Sequence, residues 1–154
     1  RLAEQTFAAC GQTAAEAAAI ADHVLDCELR GLSYGGLPRA LSVFERMTAP
    51  SFKRGNIHVA HETPLSALVD GEGNIGYLVA LRAAELCIEK ASALGMAIVG
   101  ARDTWHTGML SYYAEKAARA GLVSMIASNA SHRRAPRRHR GPVRHQSYRL
   151  WLSL

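Results

Sequence analysis

The chain has 154 residues, of which 49% are hydrophobic and 20% charged, and this composition is typical of a globular domain rather than a disordered segment. No apolar stretch reaches the roughly 18 residues that a membrane helix requires, so the sequence does not predict a membrane protein. The formal net charge of +5 is unevenly distributed, because residues 132–154 contain seven arginines and no acidic residue. The other 11 basic residues face 13 acidic ones, so the excess positive charge lies in the final segment.

The first 50 residues predict a helical segment. A short helix over Leu2–Cys10 is followed by Thr13 and Glu16, which form the pattern of a capping box at the start of a second helix. His23 lies among the apolar positions of that helix, so we expect a core or interface histidine rather than a ligand. Pro38 suits the first turn of a third helix.

Arg39 begins this third helix, next to a flexible Gly35-Gly36 pair. A guanidinium in that position can bind a carboxylate with two hydrogen bonds. A solvated surface arginine remains the alternative.

Two short strands are predicted over residues 53–61 and 65–69, followed by a glycine-rich stretch from Asp70 to Gly76 and a helix over residues 77–94. The stretch contains GxGxxG between a strand and a helix, as in dinucleotide-binding proteins. However, no acidic residue ends the next strand at the spacing of about 20 residues found in those proteins. A tight turn from strand to helix is the other interpretation.

Residues 98–131 predict a β-α-β unit, with strands near 97–100 and 122–127 and a helix that ends at Gly121. His106 lies in the loop between the first strand and the helix. Ligands of open α/β sheets bind where strands end, and histidine changes charge near neutral pH. His106 is therefore a candidate acid or base, although a loop histidine bonded to a backbone carbonyl is the simpler alternative.

The three cysteines, Cys10, Cys27 and Cys87, are far apart and lack metal-ligand spacing. We expect reduced, partly buried thiols, a cytoplasmic location and no metal site.

Four segments in order resemble the malate/L-lactate dehydrogenase family, the type 2 NAD(P)-dependent 2-oxo-acid reductases that include ureidoglycolate and sulfolactate dehydrogenases. The matching residues are Arg30-Gly31…Gly36…Arg39, Val69-Asp70-Gly71…Gly76, Trp105-His106-Thr107-Gly108…Tyr112 and Gly121-Leu122…Asn129. The resemblance covers residues 1–131.

The resemblance implies an α/β (mixed α+β) protein, with N-terminal helices and a β-α-β unit of a non-Rossmann NAD(P)-binding dehydrogenase fold that is incomplete here. It implies that His106 exchanges a proton with the substrate oxygen and that Arg39 binds the substrate carboxylate. Asn129 and Ala130 fall where cofactor contacts begin. The implied cofactor is NAD or NADP, the implied substrate is a small 2-oxo or 2-hydroxy acid, and the implied assembly is a homodimer. One departure is Gly35, which replaces a second family histidine, and Tyr34 could partly substitute for it.

The basic tail departs from the family more strongly. With suitable synonymous codons, residues 144–148 read one nucleotide later give Gly-Thr-Asn-Pro-Ile, and residues 149–154 give Ala-Phe-Gly-Phe-Pro, as in family members. Residues 133–138 likewise give Val-Ala-Pro-Arg-Gly-Gly. We infer a one-nucleotide slip just after Asn129, which would also explain a segment rich in arginine and free of acids.

The predicted organisation is a helical segment over 1–50, an incomplete α/β catalytic and cofactor domain over 51–131, and a disordered or loosely packed tail over 132–154. The predicted function is a fragment of a 2-hydroxy-acid dehydrogenase that is inactive as written. The alternatives are a basic nucleic-acid-binding module, for which the tail would bind phosphates, and a helical interaction module.

Overall fold

The computed structural model describes residues 2–128 and the backbone of residues 147–152. Three helices come first: α1 (Leu2–Ala9), α2 (Ala14–Leu29) and α3 (Leu37–Met47). The predicted capping box is present at the start of α2. The Thr13 N–H donates to Glu16 Oε2 at 2.8 Å, and the Glu16 N–H donates to Thr13 Oγ1 at 3.3 Å.

The described strands form one mixed sheet. In chain order the remaining elements are β1 (His58–Glu62), β2 (Ser66–Ile75), α4 (Gly76–Leu94), β3 (Ala97–Trp105), α5 (Leu110–Arg119), β4 (Ser124–Ala127) and β5 (Ser147–Leu152). The strand order is β1-β2-β3-β5-β4, and only the β2–β3 pair is parallel. N-terminal helices followed by a β-α-β unit are thus confirmed.

The β-α-β unit β3-α5-β4 is split, because β5 lies between β3 and β4 and pairs antiparallel with both. This differs from the sequence-based expectation of a disordered or loosely packed tail at residues 147–152. Strand pairing depends mainly on backbone N–H and C=O groups, so a gap between two strands can accept a segment without a clear hydrophobic period. The rest of the tail lies outside the described residues.

Strands β2 and β3 are longer than predicted, because each continues through polar residues that the neighbouring strand satisfies. The Arg102 guanidinium pairs with Asp70 at 2.7 Å. The Thr104 hydroxyl donates to the backbone oxygen of Asn74 at 2.9 Å. The polar positions therefore extend the parallel pair to Ile75 and Trp105 rather than ending it.

Two hydrophobic clusters organise the described residues. One fills the space between the sheet and helices α4 and α5, which share it and so lie on the same face. The other is formed by α1, α2 and α3 against Ile75, Tyr77 and Leu78 at the start of α4. The junction of β2 and α4 therefore contacts the helical segment directly. Cys27 and Cys87 are buried, Cys10 is half-buried, and all three thiols are free.

Candidate functional site

His106 is the first residue after β3, and its backbone is unusual. Its φ is +50°, in the left-handed region that side chains other than glycine rarely adopt. Helix α4 begins against this loop, because a Cβ added at Gly76 would lie 2.8 Å from the carbonyl carbon of His106 and from the Cα of Thr107. The parallel strands β2 and β3 thus bring the start of α4 and the His106 loop together at one edge of the sheet.

The imidazole of His106 is half-buried and bonded on one side. Its Nε2 lies 3.1 Å from the hydroxyl oxygen of Tyr77, the second residue of α4, and the two rings meet edge to face. Burial, followed by the positive charge of Arg39, lowers the pKa of His106 to about 4. The ring is therefore neutral at pH 7 and can accept a proton.

Arg39 lies in the first turn of α3, and residues of α2 fix where that turn begins. The Glu28 carboxylate accepts a hydrogen bond from the Leu37 N–H at 2.9 Å. A Cβ at Gly36 would collide with that carboxylate, so the glycine permits the close approach. The start of α3, and Arg39 with it, is thereby tied to the end of α2.

The guanidinium of Arg39 makes no salt bridge with any described residue, and its buried Nε has no hydrogen-bond partner among them. Its positive charge acts on both His106 and Tyr77. An arginine in this state is suited to bind a carboxylate with two parallel hydrogen bonds. The structure thus places the two residues that the sequence selected close enough to interact electrostatically.

His23 is a buried histidine, as predicted, and it is hydrogen-bonded to the loop that follows His106. It is only 1% exposed, and its Nε2 accepts a hydrogen bond from the Met109 N–H at 2.8 Å. Burial is the main cause that lowers the pKa of His23 to about 4. A Cβ on Gly108 would collide with the His23 and Tyr77 rings, so this glycine lets the loop lie against both.

The GxGxxG segment serves the protein's own packing. Strand β2 ends at Ile75 and α4 begins at Gly76 with no loop residue between them. A Cβ at Gly71 would lie 2.8 Å from the Asp103 backbone oxygen, and one at Gly76 would meet the His106 loop. Gly71 and Gly76 are thus accounted for by contacts within the protein, whereas nothing lies within 4 Å of a Cβ added at Gly73, whose φ is +77°. The direct junction of β2 and α4 agrees with the tight strand-to-helix turn.

The departure from the family pattern in the N-terminal segment involves Gly35 and its neighbour Tyr34. Gly35 is buried, and a Cβ added there would lie 3.5 Å from Cys27 Sγ, an ordinary contact. Tyr34 is 74% exposed, so its side chain points largely to solvent. Asn129 and Ala130, the predicted cofactor contacts, lie outside the described residues.

Tyr77 is the site residue that the sequence did not identify. It follows directly after the last glycine of GxGxxG, and the sequence pattern predicts it only as part of a helix. A tyrosine at the first turn of a helix that starts at a strand's end is the signal that could have identified it.

In the described part of the chain, no three His, Cys, Asp or Glu side chains come together to hold a metal ion. No helix among the described residues is long and apolar enough to cross a membrane.

Residues 1–143 match the profile of the family described as malate/L-lactate dehydrogenase. The match continues past residue 131, where the resemblance was expected to end. The L-sulfolactate dehydrogenase of Methanothermobacter thermautotrophicus is 33% identical over 80% of this chain and 37% of its own length. The malate/(S)-sulfolactate dehydrogenase of Methanothermus fervidus is 32% identical over 88% of this chain and 40% of its own.

Solved structures give the same result. The malate dehydrogenase of Pyrococcus horikoshii OT3 superposes with a TM-score of 0.74 at 30% identity, over 78% of this chain and 35% of that one. A dehydrogenase from Sinorhizobium meliloti superposes with a TM-score of 0.67 at 35% identity, over 79% of this chain and 38% of that one. The chain thus spans less than half the length of these relatives. It belongs, as the order of its motifs predicted, to the malate/L-lactate dehydrogenase family.

Proposed function

We propose that residues 1–131 carry the substrate-binding and proton-transfer residues of an NAD(P)-dependent dehydrogenase acting on small 2-hydroxy or 2-oxo acids. One observation supports this more than any other. The guanidinium of Arg39, which has no salt-bridge partner among the described residues, acts electrostatically on a half-buried, neutral imidazole at the end of a parallel strand. A 2-hydroxy acid offers a carboxylate for the first group and an adjacent hydroxyl for the second.

The two residues would act together on such an acid. Arg39 would bind the carboxylate, which fixes the neighbouring carbon and its oxygen relative to His106. The negative charge of the bound carboxylate would offset the charge of Arg39, one cause of the low pKa of His106. Binding would therefore raise the pKa of His106 from about 4 and make the imidazole a better base for the hydroxyl proton.

The cofactor would accept the hydride from the carbon or return it in the reverse reaction. Two of the three glycines of the glycine-rich segment, Gly71 and Gly76, pack against other parts of the protein, and the predicted contacts Asn129 and Ala130 lie outside the described residues. An NAD or NADP cofactor, a homodimeric assembly and a cytoplasmic location stay predictions.

Acid binding can be tested on the 154-residue chain by titrating His106 with NMR, with and without L-malate or pyruvate. We expect the acid to raise the pKa of His106. Arg39→Lys should weaken binding roughly ten- to a hundred-fold, because an ammonium group cannot form the paired hydrogen bonds of a guanidinium.

Arg46→Lys provides the matched control. It lies on the same helix, but its guanidinium stacks over the Trp105 ring at 4.3 Å. If the pKa of His106 does not change when the acid is added, or if both variants lose binding equally, the proposed role of Arg39 is contradicted.

We also propose that the chain as written is not a competent dehydrogenase, because residues 132–154 would be translated from a shifted reading frame. The nucleotide sequence across codons 129–154 tests this directly. We expect no NADH oxidation by the present chain with a panel of 2-oxo acids. A version with the frame restored and the remaining family length added should be active, and His106→Ala should abolish that activity. An inactive restored enzyme would contradict the proposal.

A nucleic-acid-binding module is not favoured. Its support was the charge of residues 132–154, which the inferred shift in frame explains without a ligand. Salt-sensitive DNA binding that is lost when residues 132–154 are deleted would support the nucleic-acid-binding interpretation instead.

A further inference from the structure

Tyr77 is almost completely buried at the candidate site, and its ring is held from two sides. It is 2% exposed and packs against the His23 ring at a centroid distance of 4.6 Å. Gly108 lies against its other atoms, because a Cβ there would lie 2.9 Å from Tyr77 Cδ1. With the ring fixed, the hydroxyl has one position, 3.1 Å from His106 Nε2.

This contact occupies one of the two imidazole nitrogens of His106. A neutral imidazole has one N–H and one bare nitrogen, and the hydrogen bond of one nitrogen decides the state of the other. Two arrangements fit the distance. Either the Tyr77 hydroxyl donates to a bare Nε2, or its oxygen accepts from Nε2–H.

Proton balance distinguishes between these arrangements. If Tyr77 donated, Nδ1 would carry the hydrogen and could not accept a proton from a 2-hydroxy group. In the reverse direction, loss of that hydrogen to a carbonyl oxygen would leave an imidazolate, or a tyrosinate if Tyr77 then gave up its proton. Burial raises the pKa of Tyr77, so the tyrosinate is disfavoured.

If the Tyr77 oxygen accepts, each step balances. The bare Nδ1 would take the hydroxyl proton of the substrate while an oxidised nicotinamide cofactor accepted the hydride from the carbon, and His106 would become an imidazolium that still donates Nε2–H to Tyr77. In the reverse direction the imidazolium returns the Nδ1 proton to the carbonyl oxygen and becomes neutral again. The contact with Tyr77 is the same in both states.

We propose that Tyr77 is a positioning residue that accepts a hydrogen bond from His106 Nε2–H and so makes Nδ1 the atom that exchanges a proton with the substrate. The choice between the two arrangements rests on the proton transfer by His106 in the proposed function, but the tautomer itself can be measured without any substrate.

The test is long-range ¹H–¹⁵N NMR on the full 154-residue chain labelled with ¹⁵N-histidine, at pH 7 and without added acid. We expect His106 to show a protonated Nε2 and a bare Nδ1. Tyr77→Phe keeps the packed ring but removes the acceptor, and should convert His106 to a mixture of the two tautomers.

Tyr112→Phe is the matched control. Its ring also packs against His23, at 4.3 Å, but its hydroxyl donates to Asp22 rather than to His106. This variant should leave the His106 tautomer unchanged. The His23 resonances report whether the aromatic packing survives in each variant.

A protonated Nδ1 in the unmodified chain, or an unchanged tautomer in Tyr77→Phe, would overturn the proposal. If Tyr77→Phe fails to fold, the tautomer of the unmodified chain decides by itself. A failure of malate or pyruvate to affect His106 would count against the proposed function but not against this tautomer, so the two failures are distinguishable.

Discussion

At the scale of single residues, His106 combines two features that normally cost stability. Its left-handed backbone, at φ +50°, costs on the order of 1–3 kcal/mol for a residue other than glycine. Its half-buried imidazole has a pKa of about 4, which costs stability as the pH falls below the ordinary value of about 6.5. Such a backbone persists where surrounding contacts determine the conformation, and here Gly76 and Tyr77 supply them.

His23 makes the stability of the fold depend on pH. Its pKa is about 4 in the folded chain and about 6.5 as the ordinary value, so the unfolded chain binds more protons between these limits. Stability should therefore be complete above pH 6.5 and fall as pH drops toward 4, by roughly 3 kcal/mol for this one group. The midpoint of urea unfolding measured from pH 7.5 to 4.5 checks this.

The same measurement on His23→Gln should show a flatter dependence, because the amide oxygen can accept the Met109 N–H without titrating. His61→Gln, at an exposed position of β1, should keep the original slope. Equal slopes in all three proteins would show that His23 is not the source.

At the scale of elements, the start of α3 is a tightly packed junction near the site. Gly36→Ala would place a Cβ against the Glu28 side chain, 3.1 Å from its Cβ, and displace the carboxylate that accepts from the Leu37 N–H. We expect a loss of about 1–3 kcal/mol in the free energy of unfolding, because the overpacked atoms lie close to the backbone. Urea unfolding of the full chain measures it.

Gly35→Ala is the neighbouring control, since the added Cβ would make only an ordinary contact with Cys27 at 3.5 Å. Its unfolding midpoint should stay near that of the parent. If both alanine variants behave alike, the close approach of Glu28 does not constrain α3.

At the scale of the whole molecule, β5 completes the sheet. In the described residues β4 pairs only with β5, and β5 connects it to β3. Without β5 the amides of β4 would lack these partners, so deletion of residues 147–154 should remove their protection from hydrogen exchange and lower the unfolding midpoint.

Deletion of residues 153–154 alone is the control, since it leaves the strand intact and should preserve the protection of β4. Unprotected β4 amides in the full chain would instead favour the loosely packed tail that the sequence predicted.

Much of the local structure could be read from the sequence because its signals are local. Thr13 and Glu16 predicted the start of α2, Pro38 predicted the start of α3, and the apolar runs around residues 98 and 125 predicted a β-α-β unit. The ordered motifs also identified the family, and with it His106 and Arg39 as candidates. The helix starts and the strands depend on residues a few positions apart, and the family depends on the order of short motifs along the chain.

Tertiary structure decided what depended on contacts between distant segments. Strands β2 and β3 continue through polar residues because each satisfies the other. Gly71 leaves room for the β3 backbone at Asp103, and Gly76 leaves room for the His106 loop. Tyr77 meets His106 across 29 positions of sequence. No periodicity encodes such a meeting, since it exists only when two parallel strands end at the same edge of a sheet.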